Sequence, residues 1–269
     1  MKKTRILSVI LVGVVALSLF GCGAKKEDAN KEDKNIKIGV SPVPHKEIVD
    51  VAKPLLEKDG YKVEIVEFSD FVQPNTALND KELDANFFQH IPYLNKSNEE
   101  KKLDLTYTAK IHIEPMGFYS KKIKDIKELK DGATISIPND PTNGARALKL
   151  LEKNGILKVK DGELVTAADI TENPKHIKIK ELEAPQLTLS LDDVDGSVIN
   201  TNFALQGNLN PTKDALLIES KDSPYANILA VRKGTENSEK IKALTKALTS
   251  PEVKKFIEDK YNGSIVPAF

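Results

Sequence analysis

An α/β fold in two lobes, with a ligand cleft between them, is the architecture this sequence predicts. Three observations lead there. Short β-like runs alternate with amphipathic helical stretches from residue 36 onward, the pattern of parallel sheets covered by helices. Two charged stretches, "KKIKDIKELKDG" (121–132) and the proline-containing "ESKDSPYAN" (219–227), interrupt that pattern as joints. The chain beyond residue 35, roughly 235 residues, is long enough to bury two small cores. The expected division is lobe 1 over 36–118 and 228–269, with lobe 2 inserted over 119–227. Two crossings between lobes make the cleft a natural small-molecule site.

The elements follow in order. "IKIGV" (36–40) reads as a strand, and Ile48, Val49, Ala52, Leu55 and Leu56 then repeat at helical spacing until Gly60. "YKVEIVEF" (61–68) alternates like a strand, and residues 74–83 look helical. "LDLTYTAKIHI" (103–113), "MGFYSKKI" (116–123) and "ATISIP" (133–138) are strand-like. The last of these enters a helix that Asp140 caps, with Pro141 at its first position and Gly155 at its end. "HIKIKELE" (176–183), "GSVINTNFAL" (196–205) and "NILAVRKG" (227–234) each hold a further strand, and helices at 238–248 and 251–260 close the chain.

Before the folded part stand a basic start (Lys2, Lys3, Arg5), an uncharged apolar run over 6–20, and the sole cysteine, Cys22. The run is short for a membrane span and has the length of a signal-peptide core. "LFGC" (19–22) is similar to a lipobox, with Phe20 where a smaller residue is usual, so residues 1–21 are expected to be a lipoprotein signal peptide and Cys22 the lipidated residue. An uncleaved apolar anchor is the competing reading. Residues 22–35, rich in alternating charge, are expected to be a disordered tether. The 269 residues carry 40 basic and 40 acidic side chains, and loss of 1–21 removes three cations and no anion. A slightly acidic domain without a basic patch argues against nucleic acid as a partner. A single cysteine also excludes an intramolecular disulfide.

Three stretches carry candidate chemistry. Only Arg5, Arg146 and Arg232 are arginines among the 40 cations. Arg146 lies early in a helix, where backbone N–H groups favour anions, and its planar fork matches a carboxylate as lysine cannot. A surface arginine on a helix fits its position equally well. Asn143, one turn earlier, shares its face. In "DANFFQHIPYL" (84–94), Phe87, Phe88 and Tyr93 surround His90, with Phe71 upstream, in a chain only 6% aromatic. Such a cluster suits either core or a pocket wall with a few donors. Asn200, in "INTNFA", and Asn227 offer carboxamides that could read an ammonium and a carboxylate together, although turn chemistry explains asparagine as well. No close-spaced metal pair or nucleophile motif is present, so neither an enzyme nor a cofactor is expected. A zinc or manganese receptor built on His90, His112 and Glu114 is the alternative reading.

"DFVQPNTAL", "LDANFFQHIPYL", "IPNDPTNGARALKLL", "VINTNFAL" and "SPYANILAVR", in this order behind the lipoprotein-like start, resemble the methionine-binding lipoproteins of ABC importers, the NlpA/MetQ family, from about residue 36 to the end. The resemblance implies a periplasmic-binding-protein-like fold whose lobes close on methionine or a close derivative. It implies no enzymatic activity. Delivery would be to an ABC permease and its ATPase subunit, from the extracytoplasmic face of a cell membrane, anchored by lipid on Cys22. It places Arg146 at the ligand carboxylate with Asn143 nearby, Asn200 and Asn227 at the polar end, and Phe88, His90 and Tyr93 in the side-chain pocket. Phe71 stands where the family often has tyrosine, so that hydroxyl contact is absent here.

Overall fold

The computed structural model describes residues 33–269. The expected signal peptide, Cys22 and all but the last three residues of the expected tether lie outside the described residues. In chain order the first half holds β1 (Asn35–Val40), α1 (Glu47–Lys58), β2 (Lys62–Glu67), α2 (Gln73–Asn79), β3 (Ala85–His90), α3 (Ile91–Lys101), β4 (Leu105–Ile113), β5 (Gly117–Tyr119), β6 (Thr134–Pro138) and α4 (Pro141–Lys153). The second half holds β7 (Lys158–Val159), β8 (Ile170–Glu172), β9 (Lys178–Leu182), β10 (Gly196–Ile199), α5 (Thr201–Gln206), α6 (Pro211–Asp214), β11 (Leu217–Ile218), β12 (Ala226–Arg232), α7 (Glu239–Leu248), α8 (Pro251–Tyr261) and β13 (Val266–Pro267). No helix among them is long and apolar enough to cross a membrane.

Two mixed sheets form two lobes. The first runs β13-β4-β12-β3-β1-β2, with β1 parallel to β2 and β3 and with β12 antiparallel to both β3 and β4. The second runs β11-β5-β10-β6-β9, with β6 parallel to β9 and β10. The chain crosses between them at 114–116 and again at 219–225. The boundaries expected at 118/119 and 227/228 therefore each cut a strand. Phe118 pairs with Val198 in the second sheet, and Asn227 pairs with His90 and His112 in the first.

The aromatic stretch 84–94 is a central strand followed by a helix. All six residues of β3 are buried, polar ones included. Asn86 and Gln89 are satisfied by Asn75 of α2, at 2.6–2.9 Å, and Asn86 also donates to the Pro74 carbonyl. Polar residues at 86, 89 and 90 break the two-residue alternation and hide the strand from sequence reading, and these hydrogen bonds offset the cost of burying Asn86 and Gln89. The two-residue period then separates neighbours. Phe87 joins the lobe 1 core with Ile38, Ile111 and Leu229, whereas Phe88 packs with Phe71 and Tyr93 at ring distances of 5.8 and 5.9 Å.

In lobe 2, Gly196 lets β10 pass Phe118. A Cβ there would lie 2.0 Å from Phe118 Cζ, inside a fully buried ring. Gly196→Ala should cost about 1–3 kcal/mol through overpacking, lowering the thermal midpoint by about 2–10 °C. Circular-dichroism melting of the variant measures it, and an unchanged midpoint would show that Phe118 repacks freely.

Candidate functional site

Between the lobes lies a small, nearly closed cavity, with about 330 Å³ of atom-free space once its open mouth is included. Its wall includes Phe71, Phe88, His90, Tyr93, Asn143, Arg146, Asn200 and Asn227, together with Gln89, Glu114, Thr201 and Asn202. A roomier groove of about 1,040 Å³ runs past Lys96, Glu99, Lys149 and Glu163. It gathers exposed charges rather than buried donors, so the smaller cavity is the candidate site.

Arg146 reaches the cavity through local design. Asp140 accepts the Asn143 N–H at 2.9 Å and fixes the start of α4, with Pro141 at the first position. At Gly144 a Cβ would stand 2.9 Å from the Pro138 carbonyl, so glycine lets the helix start close on β6. Arg146 is only 3% exposed, which removes the surface-arginine reading. Its Nε donates to Glu219 Oε1 at 2.8 Å, and Nη2 donates to Glu219 Oε2 and, at 2.7 Å, to the Glu114 carbonyl. Tyr225 lies 4.3 Å from the guanidinium carbon. A guanidinium this deeply buried needs such a counter-charge.

His90 and Asn143 line the wall but are committed to each other. His90 Nε2 donates to Asn143 Oδ1 across the lobes (3.1 Å), and its Nδ1 accepts the Tyr93 N–H. Asn200 Nδ2 donates to the same Asn143 oxygen at 2.9 Å, and both Asp140 oxygens accept from Asn143 Nδ2. Burial and the nearby Arg146 push the His90 pKa down to about 3, so the ring is neutral. Asn143 thus holds other groups in place rather than offering free polar atoms. Tyr93 donates its hydroxyl to the Phe71 carbonyl, and Phe71 meets Phe203 of lobe 2 at 5.0 Å, closing an aromatic wall across the cleft.

The opposite wall is built on Glu114, 5% exposed, in the first crossing. His112 Nε2 lies 2.7 Å and His45 Nε2 3.2 Å from its Oε1, while Oε2 accepts the Asn202 N–H at 3.0 Å. His45 Nε2 also faces Asn227 Oδ1 at 3.1 Å. Placed between two acceptors, that nitrogen is the donor. Burial depresses the pKa of His45 to about 4 and of His112 to about 3, and raises that of Glu114. Among the described residues, Asn200 Oδ1, an acceptor, and Asn202 Nδ2, a donor, have no protein partner, and neither do the Nδ1 atoms of His45 and His112.

The metal reading is corrected here. His90 is engaged elsewhere and His45 takes its place beside His112 and Glu114. A carboxylate oxygen 2.7 Å from an imidazole nitrogen is a hydrogen bond. Tetrahedral ligand atoms about 2.1 Å from zinc would stand about 3.4 Å apart.

Sequence reading missed Glu219, His45, Asn202 and Tyr225 as site residues. Glu219 and Tyr225 lie in a charged stretch with no local signal. His45 follows the carboxyl end of β1, the place where open α/β sheets bind ligands, and that rule could have found it.

Two α/β lobes joined by two crossings, with a buried polar-and-aromatic cavity between them, define a periplasmic-binding-protein-like fold. The family model described as NlpA lipoprotein matches residues 36–269. The D-methionine-binding lipoprotein MetQ of Salmonella typhi is 44% identical over 261 residues, covering 95% of this chain and 94% of its own. A nutrient binding protein from Burkholderia cenocepacia, solved bound to methionine, superposes with a TM-score of 0.85 at 47% identity, over 87% of this chain and all of its own. The crystal structure of the methionine binding protein MetQ gives 0.86 at 42% identity, over 88% and 99%. The chain belongs to the NlpA lipoprotein family.

Proposed function

We propose that the protein is the substrate-binding component of an ABC importer, holding methionine or a close derivative and delivering it to the permease and its ATPase subunit. The carrying observation is one buried cavity that sets a guanidinium, Arg146, and a carboxylate, Glu114, beside an aromatic wall. That is the complement of a zwitterion with an apolar tail. The ligand carboxylate meets Arg146 and the Asn202 amide. The ammonium meets Glu114 and Asn200 Oδ1, and Asn227 is held at the polar end by His45. Phe71, Phe88 and Tyr93 receive the thioether, with sulfur–aromatic contacts worth about 0.3–1.5 kcal/mol each. The charged ends need these partners once they leave water. Methionine has about nine heavy atoms, so at about −1.5 kcal/mol each the ceiling is about −13 kcal/mol. Nanomolar affinity requires about −12.3 kcal/mol, which demands a closed and nearly dry site.

The names of the relatives, methionine-binding and lipoprotein, support the same reading. Cys22 would then carry the lipid that holds the protein at the extracytoplasmic face of the cell membrane. Unfolding and refolding to strip ligand, followed by calorimetry with L-methionine, D-methionine and methionyl dipeptides, tests the proposal. Saturable binding of at least one is expected, and no heat from any of them would sink it.

A further inference from the structure

Glu219 is not on the cavity wall. It sits behind Arg146 in the second crossing, with 14% of its side chain exposed. Its carboxylate takes the Nε–Nη2 edge of the guanidinium and, through Oε2, also accepts the Met116 N–H at 2.9 Å. Met116 belongs to the first crossing, as does the Glu114 carbonyl that Nη2 reaches. One ion pair therefore touches α4 and both connections between the lobes. Nη1 donates to no protein acceptor among the described residues, which leaves it as the nitrogen available to a ligand.

We propose that Glu219 is a positioning residue for ligand binding: it locks the guanidinium edge-on, presents Nη1 to the ligand carboxylate, and ties that orientation through Met116 to the two interlobe crossings. This rests on the reading that a ligand carboxylate meets Arg146. The opposite role, a built-in competitor that the ligand displaces, would strip a buried guanidinium and a backbone N–H of their acceptor at once. Buried donors left unmade in this way are costly. A lone flexible arginine would also have several rotamers to lose on binding, and a pre-held one has few.

The test compares Glu219→Gln, Glu219→Asp, Arg146→Lys and the double variant Glu219→Gln/Arg146→Lys with the parent, using methionine and methionine amide, which lacks the carboxylate. Glu219→Gln keeps the size but loses the charge and one acceptor. It should weaken methionine about 10-fold or more while changing methionine amide less than about threefold. Glu219→Asp should recover part of the loss, and it carries the test if the glutamine variant fails to fold. The double variant should bind methionine no more weakly than Arg146→Lys alone, since both changes act through one guanidinium. Unchanged or tighter methionine binding by Glu219→Gln, an equal loss for both ligands, or additive losses would overturn the proposal. Failure of the parent protein to bind methionine would instead overturn the ligand reading.

Discussion

Arg146→Lys should weaken methionine binding about 10- to 150-fold even though the charge is kept. The guanidinium faces three ways at once: to Glu219, to the Glu114 carbonyl and to the cavity. An ammonium is a point charge on a flexible stem and cannot hold a bidentate pair on one edge while presenting a donor on another. Loss of a charge-assisted hydrogen bond costs about 1.5–3 kcal/mol, and each 1.4 kcal/mol is tenfold in affinity. Tyr225, stacked at 4.3 Å, would also lose its planar partner. Titration calorimetry on refolded protein reads the change directly. An affinity equal to the parent would remove Arg146 from the binding site.

Stability should fall steeply as pH drops from about 6.5 to about 4. His45, His90 and His112 are fully buried, and burial holds their pKa values at about 4, 3 and 3 against an ordinary 6.5. Below pH 6.5 the unfolded chain takes up protons that the native state refuses, so protonation favours unfolding. The stabilisation from their neutral forms is complete above the unfolded value and is lost as pH falls toward the folded ones. Each such histidine contributes a slope on the order of 1.4 kcal/mol per pH unit. Glu114 opposes this. Its pKa is raised by burial, so as pH rises the native state gives up this proton later than the unfolded chain does. Three histidines against one carboxyl leave a net loss in acid. Urea unfolding at pH 7.5, 6, 5 and 4 measures it, and a flat profile would contradict the neutral-histidine cluster. His45→Gln keeps a donor toward Asn227 without the ionisation, so its profile should be shallower.

The helix around Arg146 shows how much of the site was legible from local rules. An acceptor at Asp140, a proline at 141 and a glycine at 155 are features of sequence, and each performs its local task in the structure. The aromatic stretch shows where such rules stop. Asn86, Gln89 and His90 break the alternation that marks a strand, and it takes partners outside the strand, Asn75, the Pro74 carbonyl, Asn143 and the Tyr93 N–H, to explain their burial. The lobe boundaries erred for a related reason. Gly117–Tyr119 is too short for its pattern to declare a sheet, and its membership is decided by its pairing with β10 and β11.

By itself, then, the sequence determined the alternation of strands and helices, the capped start of α4, the rarity of arginine and the aromatic content near residue 88. These depend on periodicity and on neighbours within a few residues. The tertiary structure alone decided the partners. Glu219 reaches Arg146 across 73 residues of chain, and His45 reaches Asn227 across 182. Hydrogen bonds of that span leave no periodic trace in the sequence, because each requires only one donor and one acceptor, and it is folding that places them together.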